Sequence, residues 1–464
     1  AALLEADDKS SANIATSEIL LNKVRVKNGD LKLYMNVWKK KPTPVDSTAP
    51  QFLIKGHDIS LENFNFSMSM LPTIDTMTVR GADICLRDGV VDLRNSKMTA
   101  RAISASKGNF TYLTPTPEYV KTHPVPVDTV SQPSAPFIIS ADSLALDGFH
   151  VVYAMKGAKP LPGFDANYIE LSDVGAGLRN FYNEATTVRL PVTRITAKER
   201  SGLFLTDGHG LVEVDSTGLT LTGMKVSTPY SRLSATAGLP FALMELQPHA
   251  PLNATLEGSI GMPDIEAFMP DLKAYTQCLP YRNPLNVSVG VAGYVSDAVI
   301  EHLDAAIDHT FALRSSGYAE NALDFNKMVA EVDFDASLEN PSLISKLLGK
   351  MPYRVPQFTL TGTAGIDNRA FDANLNLHTP DGRVAATGYV SLNSEGYNAD
   401  INVDNFNVAS VMPSLGVGHV SATLVADGAG FDPTKSGAKT HISLDVASLV
   451  YNQQLLKDIY ADVS

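Results

Sequence analysis

Apolar and polar residues alternate along this chain for five to eight positions, a turn follows, and the alternation resumes. Phe64-Asn65-Phe66-Ser67-Met68-Ser69-Met70 is one such run, and Phe371-Asp372-Ala373-Asn374-Leu375-Asn376-Leu377-His378 is another. Ile401-Asn402-Val403-Asp404-Asn405-Phe406-Asn407-Val408 is a third. Period-2 alternation marks a strand with one apolar and one polar face. Segments of this kind number on the order of 25–30 along the chain. Such a sheet leaves its apolar face in water unless it folds into sandwiches, is covered by helices, or curls into a trough.

Candidate helices are few and short, too few to cover that face. Pro263–Met269 is one. Asn340 to Gly349 is a second, with Asn340 as N-cap, Pro341 at the first helical position and Gly349 as stop. Asn407 to Leu415 is a third.

Residues 16–155 repeat one local habit. Val24–Gly29 runs into Leu31 and Leu33, Ile59–Asn63 into Phe64 and Phe66, Ile84–Gly89 into Val91 and Leu93, and Leu144–Gly148 into Val151. Each is a short strand, an Asn or Asp (usually with Gly), then another strand. Asn-Gly and Asp-Gly accept the positive φ of tight turns, so the expectation is a series of β-hairpins. The spacing is too loose for a strict repeat array such as a β-solenoid. Two proline-rich stretches, Pro42–Pro50 and Thr114–Pro136, interrupt the pattern. Proline lacks the amide donor a ladder needs, so both read as loops or linkers.

The segments are therefore 1–113, hairpin repeats; 114–136, a Pro-rich linker or loop; 137–256, continuing sheet; 257–338, a short helix plus strands; and 339–464, further helix-plus-strand modules. The expected fold is all-β, a long curved antiparallel sheet forming an elongated groove with a few short helices.

Composition narrows the function. The 464 residues carry 37 basic and 50 acidic side chains, a net charge of −13, which argues against nucleic acid. No apolar run approaches the roughly 18–20 residues of a membrane-spanning helix. The single tryptophan, Trp38, disfavours an outer-membrane barrel with aromatic girdles. Cys85 and Cys278 are too few and too far apart for a disulfide framework or a metal motif. Metalloprotease, serine-hydrolase, phosphate-loop and CxxC motifs are absent from the sequence. His302 and Asp304 fall on one strand face, but the simpler reading of that face is its solvated side. The expectation is a non-enzyme with no metal, no catalytic residues and no cofactor. The chain opens mid-pattern at Ala1 and stops mid-strand at Ser464, and so reads as a piece of something longer.

Two passages resemble a known family. Ala197-Lys198-Glu199-Arg200-Ser201-Gly202-Leu203-Phe204-Leu205, followed by Thr228-Pro229-Tyr230-Ser231-Arg232-Leu233, is similar to a strand pair common in TamB-like proteins of the AsmA superfamily, notably those of Bacteroidota. Asp404–Val408 leading to Ala426-Asp427-Gly428-Ala429-Gly430-Phe431-Asp432-Pro433 resembles that family's recurring strand pair. The resemblance implies a periplasmic β-groove, taco-shaped in section, anchored to the inner membrane by a segment outside this chain. It implies a protein that carries phospholipid between inner and outer membranes. Alternatively, it implies a scaffold for outer-membrane protein (autotransporter) assembly with an outer-membrane barrel partner of the TamA type. The groove lining is expected from alternating apolar positions: Phe64, Phe66, Met68, Met70, Leu219, Leu221, Leu375, Leu377, Ile401 and Val403. Phospholipid acyl chains are the expected ligand.

Overall fold

The protein is described from a computed structural model, covering residues 3–36, 51–71, 75–122, 137–244, 247–344, 353–432 and 437–464. Trp38, the stretch Pro42–Pro50, residues 123–136 and the helix stop at Gly349 lie outside the described residues. Strand accounts for 68% of the chain and helix for 8%, so the fold is all-β. The described residues divide into two units: Ala1–Ala235 with Pro263–Asp271, and Thr236–Met262 with Leu272–Ser464. The division near Ala235 falls inside the segment 137–256.

The first unit holds β1 (Leu3–Ala6), β2 (Ser11–Asn13), β3 (Glu18–Lys27), β4 (Asp30–Asn36), β5 (Leu53–Leu71), β6 (Thr76–Asp92) and β7 (Lys97–Ser106). It continues with β8 (Asn109–Thr114), β9 (Ile138–Met155), β10 (Tyr168–Glu184), β11 (Thr187–Glu199), β12 (Phe204–Leu205), β13 (Asp207–Val214) and β14 (Gly218–Ser227). β15 (Arg232–Pro240) follows and runs across the division at Ala235.

Two pairs of these strands are single strands with a bend. β3 and β4 run successively along β5, Lys27 opposite Glu62 and Asp30 opposite Asn65. β7 and β8 run likewise along β9, Ser106 opposite Asp147 and Asn109 opposite His150. Both joins are parallel, whereas the sequence reading has the sheet antiparallel throughout. Parallel neighbours need a chain that returns to its starting end. In the sequence the two proline-rich stretches fall between Asn36 and Leu53 and between Thr114 and Ile138.

The expected hairpins of residues 16–155 are corrected by this register. Asn28 (φ 53°), Asn63 (49°) and Gly148 (63°) do take the left-handed conformation. Each sits midway along a strand, not at its end. Asp88 (φ 46°) is a further bulge within β6. Gly81 (φ 66°), Lys107 (60°) and Asp173 (51°) complete a row, one such residue in each successive strand. An extra residue at these points reverses the parity of the alternation. Leu61 and Phe64 therefore share a face, as do Ile84 and Val79, or Leu146 and Phe149. The row is a crease, and the apolar face lies inside it. Phe149, Val174, Ala197 and Ala82 are buried there, with Val79, Ile84, Phe110 and Leu171 packed on both flanks. Gly108 is required at the crease: a Cβ there would lie 2.6 Å from Cζ of Phe149 and 3.0 Å from Cβ of Ala82. Gly29 meets the Phe64 ring in the same way, at 2.7 Å.

The second unit is a meander of β16 (Pro251–Ile260), β17 (Leu285–Tyr294), β18 (Asp297–Ile307), β19 (Phe311–Glu320), β20 (Val329–Leu338) and β21 (Phe358–Asp367). It continues through β22 (Ala370–Thr379), β23 (Gly382–Ser391), β24 (Gly396–Asn407), β25 (Val417–Ala429), β26 (Lys439–Tyr451) and β27 (Gln454–Val463). Each strand pairs antiparallel with the next. Here positive φ does mark hairpins: Asn368 and Arg369 (46° and 69°) join β21 to β22, and Asn452 and Gln453 (45° and 68°) join β26 to β27. Two central residues with φ above zero are the signature of a type I′ turn.

Among the described residues, helical turns stand at all three predicted places. Met262–Phe268 is helical. A helix begins at Ser342, whose amide donates to Oδ1 of the Asn340 cap at 3.2 Å. Asn407 caps Val408–Val411, accepting from the Ala409 amide.

Candidate functional site

In the second unit the alternation becomes a set of continuous apolar rows crossing the strands. Leu375 lies between Gly362 and Ala386, and the row runs on through Ile401, Leu424, Leu444 and Ala461. In the other direction Gly362 leads to Phe334, Ser315, Leu303, Val289 and Leu256. The neighbouring row contains Leu377, Val384, Val403, Ala422 and Val446. Four of the expected lining residues thus join in two rows: Leu375 with Ile401, and Leu377 with Val403. The structure places all four half-buried.

In the first unit Phe66 pairs with Leu31 and Val79, and Met68 with Leu33 and Met77. The Met68 row continues through Tyr112, Tyr153 and Ile169. Tyr112 and Tyr153 stack with ring centroids 6.1 Å apart. Burial, then the nearby Asp75 carboxylate, push the Tyr112 phenol above its ordinary range. Phe64 sits at the crease over Gly29. Leu219 and Leu221 face Val214 and Val212. Phe64, Phe66, Met68, Leu219 and Leu221 are half-buried too, whereas Leu31 and Leu33 are exposed. The side chain of Met70 lies outside the described residues, although its backbone pairs with Met35.

Half-burial at most of these positions is what a single-layer sheet gives, each side chain being shielded by its cross-strand neighbours. Within the second unit the buried apolar strand residues Ile307, Leu338 and Ile366 lie at or near strand ends, while Val446 is buried in the middle of β26. The middles of the rows have no second layer among the described residues.

The opposite face is polar. A depression of about 580 Å³ there is lined by His302, Asp304, Arg314, Asp333, Asp335, Asn374 and Asn376 among others. It places His302 and Asp304 on the polar side, as their spacing predicts. Among the described residues no group of three or more His, Cys, Asp or Glu side chains is arranged to hold a metal ion. Cys85 and Cys278 are both free thiols.

The motifs behind the family resemblance have structural work that the sequence did not reveal. Glu199 to Leu203 is a tight turn between β11 and β12, closed by the Glu199 amide donating to the Leu203 carbonyl at 2.8 Å. Arg200 reaches from it to the carbonyls of Leu161 (2.7 Å) and Gly163 (3.1 Å). Thr228 accepts from the amides of Tyr230 and Ser231, forming a second turn. The hydroxyls of Thr228 and Ser231 then donate to Asp264 of the Met262–Phe268 helix. Phe164 stacks on Phe268 of that helix at 4.8 Å. These residues dock a helix and two loops at one place, a role no local pattern announces. Asn405 (φ 46°), in the other motif, is a bulge in β24.

Comparisons with protein-family models, with curated proteins and with solved structures find no match. The functional reading therefore rests on the surface itself.

Proposed function

We propose that this chain binds phospholipid acyl chains along its apolar sheet face, as part of a TamB-like protein that carries phospholipid across a periplasm between two membranes. The single observation that supports this reading is the set of continuous, mostly aliphatic rows without a covering layer among the described residues. Ser315 is the sole hydroxyl in the Leu256-to-Ala461 row. Apart from that hydroxyl, the side chains of the strip offer a ligand no hydrogen bonds, so it suits hydrocarbon better than peptide or sugar. Burying a methylene contributes about 0.8 kcal/mol, so an acyl chain of about 16 carbons, half covered, gains roughly 6 kcal/mol. That binding is non-directional and tolerant of lipid type. The net charge of −13 favours zwitterionic over anionic headgroups at the polar margins.

The test uses a photocrosslinking amino acid at Leu375 and, separately, at Asn376, adjacent residues on opposite faces. In cells this reading predicts phospholipid adducts at position 375 and none at 376. Adducts at both, or at neither, count against it.

A further inference from the structure

A carboxylate of the first unit stands on the apolar side of the sheet. Asp75 comes immediately before β6 and two residues before Met77, one step out from the Met68 row. Its Oδ1 accepts from the Tyr112 hydroxyl at 3.4 Å. The Tyr112 ring stacks with that of Tyr153, the planes 21° from parallel. We propose that Asp75, Tyr112 and Tyr153 seat the primary-ammonium headgroup of a phospholipid whose acyl chains lie along the crease. This rests on the acyl-binding reading above and adds which headgroup the groove selects and where it sits.

The wall changes character with distance from the crease. At the bottom Phe149, Val174, Ala197 and Ala82 are buried. The row Phe66, Val79, Phe110 and Val151 comes next. Then come Met68, Met77, Tyr112 and Tyr153, where the two phenol oxygens are the first polar side-chain atoms. Asp75 follows at the outer margin. A few placed polar groups on an otherwise apolar wall fix the orientation of a ligand. This gradient suits an amphiphile with its tails toward the crease and its head at Asp75.

The polar atoms here are short of partners. A hydroxyl bond to a carboxylate usually runs about 2.5–2.7 Å, so the Tyr112 bond leaves most of the Asp75 capacity unused. Among the described residues Asp75 forms no ion pair, and the Tyr153 hydroxyl has no hydrogen-bond partner. A half-buried carboxylate is stabilised by a cation that also donates hydrogen bonds. One carboxylate is too few for a calcium or magnesium ion. A primary ammonium brings three N–H donors and a positive charge. The Tyr112 phenol, raised by burial and then by Asp75, stays protonated and goes on donating. The Tyr153 hydroxyl is the donor left for the lipid phosphate. A trimethylated ammonium has the charge but no N–H, and a glycerol headgroup leaves the phosphate charge facing Asp75 with nothing to offset it.

The test loads the 464-residue chain in detergent with an equimolar mixture of phosphatidylethanolamine, phosphatidylcholine and phosphatidylglycerol of one acyl composition. Mass spectrometry reads the lipids retained. The wild type should keep the ethanolamine lipid roughly threefold or more over the glycerol lipid, with the choline lipid between them. Asp75→Asn should bring the three toward parity without lowering total lipid, and Asp75→Glu should keep the preference. Asp304→Asn makes the same charge change on the polar face and should leave the wild-type preference intact. Equal retention by the wild type, an unchanged preference in Asp75→Asn, or the same loss in Asp304→Asn overturns the headgroup seat and leaves acyl binding standing. A wild-type chain that retains no lipid overturns the acyl-binding reading, and the seat with it.

Discussion

Replacing Leu375 with aspartate separates an open apolar face from a closed core. Leu375 is half-buried, flanked by Gly362 and Ala386 in its row. Full burial of a leucine is worth roughly 1.5–3 kcal/mol, so half of that is about 1 kcal/mol. The lower strand preference of aspartate adds up to about 1 kcal/mol. On a single-layer face the carboxylate keeps its water, and the whole change costs about 1–2 kcal/mol. In a closed sandwich the same carboxylate is buried unpaired, and the cost rises beyond about 4 kcal/mol. Urea unfolding followed by circular dichroism reads the difference, with an unchanged slope confirming that compactness is intact. The open face also predicts that Leu375→Asp loses at least tenfold of its binding to an acyl-labelled phospholipid while remaining folded. A variant that fails to fold, or loses more than about 4 kcal/mol, refutes the single-layer reasoning.

Three further outcomes follow from the first unit. Phe149→Ala empties the crease and should lower stability by about 3–5 kcal/mol, the usual range for a buried aromatic, measured by urea titration. Gly108→Ala should lower it by about 1–3 kcal/mol, since the new Cβ meets the Phe149 ring and neither flank of the crease has room to move; no loss would mean the crease is not packed. Acid should weaken the unit below pH 3.8: Asp88, held down by its bonds from His57 and then Arg101, and Asp173, held down by Lys198, have lowered pKa values. Their contribution is present above 3.8 and lost as pH falls through the lowered values, which a circular dichroism pH titration should register as an unfolding midpoint below 3.8.

Alternation made the strands legible in the sequence, because a period of 2 maps directly onto faces. It also placed Leu375, Leu377, Ile401 and Val403 together, since β22, β23 and β24 are of similar length and the short connections at residues 380–381 and 392–395 keep the register simple. It misread Asn28, Asn63, Asp88 and Gly148. A hairpin turn and a mid-strand bulge both need positive φ, and both are followed by renewed alternation. The discriminating signal was parity: Leu61 and Phe64 are three apart, a step that a bulge permits on one face. Strand direction was illegible, because alternation carries no polarity. The two proline-rich stretches before β5 and β9 were its trace. The Thr228–Ser231–Asp264 docking node joins residues more than 30 positions apart and has no local signature.

The most direct measurement is native mass spectrometry of this chain purified from a bacterial periplasm. An uncovered apolar face predicts several phospholipid molecules retained per chain, with mixed acyl composition. A lipid-free, folded protein would contradict the account.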